Sequence, residues 1–171
     1  MRPSSPICST RPTKRTGLAA AARLRATRSD PALRPKSTTP ADTAALPRAA
    51  DWRDEKAPLA DRARAYLDIN CAHCHQAQAT ASNTALRLDA FAPVGWQMGL
   101  CKPSVAAGKG TGDRLFGIVP GQPDASIMAF RMASAEGGVM MPELGRSTIH
   151  EDGLRLVRQW ITALPGQCAT R

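Results

Sequence analysis

The segment Tyr66-Leu67-Asp68-Ile69-Asn70-Cys71-Ala72-His73-Cys74-His75 brings two thiols and an imidazole together within a short run of chain. Cys71 and Cys74 are separated by two residues, and His75 follows the second thiol directly. Thiolate sulfur is a nucleophile and a metal ligand, and imidazole is the commonest metal ligand of proteins. This C-x-x-C-H pattern therefore indicates a covalent or metal-binding site.

C-x-x-C-H is the attachment motif of c-type haem. Two thiols three positions apart reach the two vinyl groups on one edge of a porphyrin and form thioethers with them. The next residue, His75, then lies beneath the ring with an imidazole nitrogen directed at the iron. The motif predicts one covalent haem c and one iron per chain, with Cys71 and Cys74 as anchors and His75 as the proximal ligand.

Three other interpretations of the motif remain open from the residues alone. A thioredoxin-like C-x-x-C is expected after a strand in a βαβ pattern, which is not visible here. A zinc site needs a second ligand pair at metal spacing, whereas Cys101 and Cys168 are single and far apart. A chance C-x-x-C-H within a core is the third interpretation.

The sixth iron ligand is predicted to be Met141. In electron carriers a Met opposite the His raises the reduction potential. Met140 and Met141 lie in a loop with two glycines before them and Pro142 after them. Pro142 fixes its own φ and favours an extended backbone at Met141, which suits a side chain that projects rigidly across a cavity. Met140 is the next candidate, and His150 is a further alternative.

The remaining methionines are weaker candidates. Met128 and Met132 fall in a predicted helix, Pro123–Ala133, in which Asp124 or Ser126 is expected to cap the first turn. Methionines at i and i+4 on such a helix favour core packing over ligation. Met98 completes the set of candidates, and His73, between the two cysteines, is predicted to face solvent.

Amphipathic helices are predicted on either side of this region. The segment Pro58–Asn70 has apolar residues at helical spacing before the motif, and Glu151–Leu164 repeats them in steps of three and four. Pro165-Gly166 ends the second helix. The long middle segment, Gln76–Gly121, is rich in Ala, Gly and Thr. Its Lys109-Gly110-Thr111-Gly112 does not satisfy the phosphate-loop pattern, so we predict a flexible turn there. The predicted fold class is all-α with long loops.

The net charge of +9 is distributed unevenly over the 171 residues. Residues 1–50 hold ten Lys and Arg against two acids, a net of +8, and residues 51–171 hold the other +1. Residues 1–50 also hold seven prolines and almost no large apolar side chain, so we expect a disordered basic tail in front of a domain at 51–171. No apolar run reaches the roughly 18 residues of a membrane span, which predicts no transmembrane segment.

The tail has several possible roles. No aromatic residues interleave with its charges to stack on bases, so a solvated tail is favoured over a nucleic-acid arm, and no nucleic-acid partner is predicted. An Arg- and Ser-rich, acid-poor start also suits a transit peptide, although its prolines interrupt any amphipathic helix. Leu18–Leu24 is too short and too interrupted by Arg to be a signal-peptide core. A truncated or misassigned start is the further alternative.

Cys101 and Cys168 have two open interpretations. Covalent haem attachment takes place in oxidising or exported compartments of bacteria, where a disulfide persists. We therefore predict that Cys101 and Cys168 pair, and two free thiols are the alternative. Cys8, in the tail, is then left over and exposed.

The order of helix, C-x-x-C-H, long loop, helix, Met-Pro loop and amphipathic helix with a Trp resembles class I cytochrome c domains. More narrowly, the chain is similar to a bacterial group of exported haem-domain proteins that are mostly known as predicted cytochromes. The similarity covers about residues 51–164. It is carried by four segments, 66–75, Cys101-Lys102-Pro103, 118–127 (IVPGQPDASI) and 139–146 (VMMPELGR).

This resemblance implies a mono-haem domain with iron bound by His75 and Met141. It implies one-electron transfer between periplasmic redox partners that meet the exposed haem edge, and an electron carrier rather than an enzyme. The oligomeric state stays open. The alternatives are a peroxidase-like haem enzyme or sensor with a displaceable sixth ligand, and a haem-free binding protein with a fortuitous motif.

Two positions depart from the class I pattern. Many class I domains have a Gly eight residues before the first Cys and an aromatic four before it, where this chain has Ala63 and Leu67. The substitution at Ala63 leaves the closeness of the helix–helix contact open. The similar proteins are exported, whereas no signal peptide is visible in this chain.

Overall fold

The structure, a computed structural model, describes residues 46–105 and 107–169. The chain divides into two units at Ala44 and Ala45, and the described residues belong to the second. The predicted basic tail and Cys8 lie outside the described residues, except for positions 46–50, which have neither helix nor strand and are largely exposed. None of the helices in the described part is long and apolar enough to cross a membrane.

Three α-helices form the framework of the described residues: α1, Leu59–Leu67; α2, Ile127–Met132; and α3, Glu151–Ala163. Short 3-10 turns punctuate the long loops, and only isolated β-bridges occur there, without a strand. The predicted all-α class is confirmed for these residues.

Helix α1 begins after Pro58, which suits a helix start because proline lacks the N–H that the first turn cannot use. The predicted helix Pro58–Asn70 is correct in position, but its end differs. From Asp68 to Ala72 the chain widens into a π-helical turn, so Cys71 is still within helical backbone. The first cysteine of the motif is therefore placed by the helix itself.

Helix α3 follows its predicted bounds to within one residue, and it stops where Leu164 turns extended before Pro165. It packs against α1, and the two helices supply half of the buried core cluster. The fully buried side chains there include Leu67 on α1 and Val157, Trp160 and Ile161 on α3. Leu156 on α3 is buried as well.

The α1–α3 contact is close because of a glycine that no pattern in the sequence indicates. A Cβ added at Gly153, in the first turn of α3, would overlap the ring of Tyr66 on α1. Ala63 is completely buried in the same core. Close approach of the two helices is therefore provided by Gly153 against Tyr66, and Ala63 does not prevent it.

The predicted helix over Pro123–Ala133 is wrong as a single element. Pro123–Ala125 form a 3-10 turn, Ser126 is extended, and α2 starts at Ile127. The expected side-chain cap is absent at Ser126, because its buried hydroxyl donates to the Gln122 carbonyl and accepts the Val119 N–H. Tertiary hydrogen bonding of one serine thus interrupts a locally helical sequence.

Candidate functional site

The C-x-x-C-H motif forms a tight turn at the end of the first helix. The amides of Cys74 and His75 both donate to the Cys71 carbonyl, at 3.1 and 2.9 Å. Cys71, Cys74 and His75 are each half-buried, whereas His73 is exposed as predicted. Two thiols and one imidazole are therefore displayed from a single turn.

The two motif thiols are free, although they are only three positions apart. Burial raises the pKa of the Cys71 thiol to about 12, and the neighbouring Cys74 adds to the increase. Within residues 46–105 and 107–169, no group of three or more His, Cys, Asp or Glu is placed to hold a metal ion, so this arrangement does not support a zinc site. The motif follows a helix and not a strand, so it does not support a thioredoxin-like site either.

The ring of His75 is oriented by Thr84, a residue that the sequence did not indicate. The Thr84 hydroxyl donates to the Ala81 carbonyl at 2.7 Å and accepts the Leu86 amide at 3.3 Å. Because its single proton is used, it accepts from His75 Nδ1, 3.2 Å away. The proton of the neutral imidazole is then on Nδ1, and the lone pair is on Nε2.

The backbone of His75 is held from the same side. Its carbonyl accepts the Leu88 amide at 3.1 Å, and the Ala81 amide donates to the Cys74 carbonyl at 3.0 Å. The segment 79–88 therefore wraps the motif and delivers Thr84 to the imidazole. Thr84 lies in an Ala-, Ser- and Thr-rich loop with no pattern of its own, so only the fold could identify it.

The Met loop, residues 136–146, lies within electrostatic reach of His75. Burial lowers the pKa of His75, the Arg131 guanidinium and His73 lower it further, and Glu143 opposes them. Arg131 is on α2, and Glu143 follows Met141 by two residues. Met140 and Met141 are both half-buried, and the Met141–Pro142 peptide bond is cis. The charges of Arg131 and Glu143 therefore act on the His75 imidazole, and the Met loop is hydrogen-bonded to the end of α2 through the Met141 amide and the Arg131 carbonyl.

The other candidate ligands are engaged elsewhere. Met132 is buried in the hydrophobic core and Met128 packs against it, as their helical spacing predicted, and Met98 is buried in the same core. His150, at the start of α3, shares a hydrogen bond of 2.9 Å between its Nδ1 and the Tyr66 hydroxyl, and its ring stacks on that tyrosine. Trp52 packs edge-on against both rings.

Cys101 and Cys168 are joined in a disulfide with their Cα atoms 5.2 Å apart. This is the pairing that the sequence analysis preferred over two free thiols. The bond ties the segment after α3 to the central loop. Among residues 46–105 and 107–169, one pair of cysteines is therefore oxidised and one pair is reduced.

The donor set around the motif fits a haem attached through two thioethers. Cys71 and Cys74 carry unpaired thiols, and His75 Nε2 presents a lone pair. Within the described residues, Arg64 Nε, Arg146 Nε and Trp160 Nε1 are buried without an acceptor. Burial raises the pKa of Tyr66, Cys71 adds to the increase and the Arg146 guanidinium opposes it. The carboxylates of a haem would offer the missing type of acceptor.

Two surface clefts lie away from this region. Their volumes are about 640 and 270 Å³, and both are lined mainly by exposed residues of α3 and its neighbours. Neither lining includes a motif residue or a residue of the Met loop. The chemistry-bearing side chains therefore do not line either of these clefts.

No protein-family model, curated protein or solved structure matches this chain. The resemblance to class I cytochrome c domains accordingly rests on the sequence motifs.

Proposed function

We propose that the described domain is a mono-haem c-type cytochrome that carries one electron between redox partners. The observation that carries this proposal is the geometry of the motif: two unpaired thiols, and an imidazole whose Nδ1 lies 3.2 Å from the Thr84 hydroxyl and leaves Nε2 for the iron. Thioether formation needs the thiols, and iron ligation needs the Nε2 lone pair. Cys71, Cys74 and His75 supply both from one turn.

Bound haem supplies an iron that exchanges one electron between Fe(II) and Fe(III). The residues of the chain hold and orient it. Cys71 and Cys74 would anchor the ring, and His75 and Met141 would bind the iron, with Met140 as the alternative to Met141. Burial of the ring and a His–Met pair both favour a high potential.

A compartment outside the cytoplasm, the periplasm of a bacterium, is part of the proposal. Haem c attachment requires reduced thiols delivered to an oxidising compartment, and structural disulfides persist in the same environment. The Cys101–Cys168 disulfide supports this placement, because such bonds are rare in the cytosol.

Redox partners are proposed to meet the domain at the haem edge through a small, transient interface. Two large apolar side chains near the ligands are exposed, Ile69 two residues before Cys71 and Leu144 three residues after Met141. Apolar contacts of this kind suit brief encounters because they desolvate readily without fixed charge pairing.

The test is expression with a signal peptide and the cytochrome c maturation machinery. We expect a Soret band that stays with the protein in acid acetone, since thioethers survive that extraction. Cys71→Ser with Cys74→Ser should abolish the covalent link, whereas the matched pair Cys101→Ser and Cys168→Ser should retain it. Haem that is fully extracted from the unaltered protein, or absent, would contradict the proposal.

The haem enzyme or sensor is tested on the same preparation. A ferric iron that resists cyanide and a ferrous iron that resists carbon monoxide support the carrier, because both axial positions are then occupied by the protein. Rapid binding of either ligand by the untreated protein would favour an open or displaceable sixth position instead.

A further inference from the structure

The Met loop is fastened to the carboxyl-terminal end of α2 at several points. The last carbonyls of an α-helix have no partner within the helix and need outside donors. Here the Arg146 guanidinium donates to two of these carbonyls, those of Met132 at 2.9 Å and Arg131 at 3.3 Å, and to the Ser134 carbonyl just beyond the helix. A cation at this end of a helix also interacts favourably with the helix dipole. Arg146 therefore caps the carboxyl-terminal end of α2, and because it lies in the Met loop it also anchors that loop to the helix.

A second arginine holds the opposite side of the loop. Arg131, in the last turn of α2, donates from Nε to the Val139 carbonyl at 2.8 Å. Its guanidinium lies 3.5 Å from the Glu143 carboxylate, and only 14% of its side chain is exposed. Arg131 therefore contacts the loop both before and after Met141.

Backbone hydrogen bonds distinguish the two methionines between these anchors. The Met141 amide donates to the Arg131 carbonyl at 3.1 Å, so this residue is pinned directly to α2. The Met140 amide donates to the Glu136 carbonyl at 2.9 Å, within the loop's own turn. Of the two methionines, Met141 is the one bonded directly to α2, at the same Arg131 carbonyl that accepts from Arg146.

We propose that Arg131 and Arg146 form a clasp that positions Met141 as the sixth iron ligand and prevents small ligands from displacing it. This inference rests on the proposed haem function. The clasp acts through the loop backbone, so both arginines are positioning residues rather than ligands. It selects Met141 over Met140, and it couples iron ligation to the end of α2.

The experiment compares haem-loaded Arg146→Gln, Arg146→Lys and Arg155→Gln. Arg155 is the matched control because it is exposed on α3 and pairs with Asp152 in its own helix. In Arg146→Gln we expect covalent haem as before, loss of the weak red band of Met-ligated Fe(III), and imidazole affinity for ferric iron raised about tenfold or more. Arg155→Gln should behave as the unaltered protein.

Arg146→Lys separates positioning from charge. Lysine keeps the cation but cannot reach three carbonyls from one planar group, so it should show an intermediate imidazole affinity. If Arg146→Gln does not fold, the red band and the imidazole affinity of Arg146→Lys alone test the clasp. Unchanged band and imidazole affinity in folded, haem-loaded Arg146 variants would overturn the clasp. Absence of covalent haem in the unaltered protein would overturn the proposed function instead.

Discussion

The contact between α1 and α3 consists of buried apolar side chains, whereas the loop around Met141 is held by guanidinium-to-carbonyl hydrogen bonds. Leu67, Val157 and Ile161 are completely buried in the first region. In the second, Met140 and Met141 are only half-buried, and the anchoring groups are Arg131 and Arg146. Apolar burial dominates folding free energy, while hydrogen bonds contribute less but fix geometry.

This difference suggests that stability and chemistry are separable in the domain. Substitutions in the α1–α3 region should lower the free energy of unfolding and leave the ligand set unchanged. Substitutions around the motif and the Met loop should alter the iron and change stability little. The following variants test that separation, from the largest expected change to the smallest.

Removal of the Cys101–Cys168 disulfide should have the largest effect on stability. The bond closes a loop of 67 residues, and the chain-entropy model gives about 4 kcal/mol for a loop of this length. We expect the double variant Cys101→Ser, Cys168→Ser to unfold at much lower urea concentration under non-reducing conditions. Its covalent haem content should equal that of the unaltered protein. A midpoint that does not move would show that the bond does not constrain the unfolded chain.

Gly153→Ala should come next. The added methyl would overlap the Tyr66 ring in the α1–α3 contact, and overpacking of this kind costs roughly 1–3 kcal/mol. The control is Gly137→Ala, since Gly137 is exposed and has no other atom within 4 Å of an added Cβ. Urea unfolding of the two variants measures the difference. Equal stability would place the close approach of the helices elsewhere.

Thr84→Val should have the smallest effect on the free energy of unfolding and the largest effect on the reduction potential of the iron. Valine keeps the shape of threonine but cannot accept the His75 Nδ1 proton or the Leu86 amide, at a cost of about 1 kcal/mol. A weaker hydrogen bond makes the imidazole a poorer electron donor to the iron, which disfavours Fe(III) and raises the reduction potential. Potentiometric titration of the haem-loaded variant checks this.

Two controls isolate the hydroxyl of Thr84. Thr84→Ser keeps the hydroxyl and should restore the original potential. Thr162→Val removes a threonine hydroxyl that bonds only to Arg158 within α3, and it should leave the potential unchanged. Equal potentials in Thr84→Val and the unaltered protein would show that Thr84 does not act on the proximal ligand.

Local patterns predicted α1 and α3 well because their apolar periodicity agrees with the burial they find. The predicted helix at 123–133 failed at Ser126, where a buried side chain bonds to Val119 and Gln122. Those partners belong to the preceding loop, whose course the sequence does not reveal. Gly153 was not predicted for the same reason, because the need for a glycine at this position comes from contact with Tyr66, which is far away along the chain.

The sequence alone determined the motif Cys71–His75, the fold class and the approximate limits of α1 and α3, because each of these depends on spacing between nearby residues. Only the tertiary structure decided which group orients His75, what fastens the Met141 loop and how the helices approach closely. Thr84, Arg146 and Gly153 act through partners brought near by folding. Such contacts leave no periodic signal in the chain, since they depend on three-dimensional distance rather than on sequence separation.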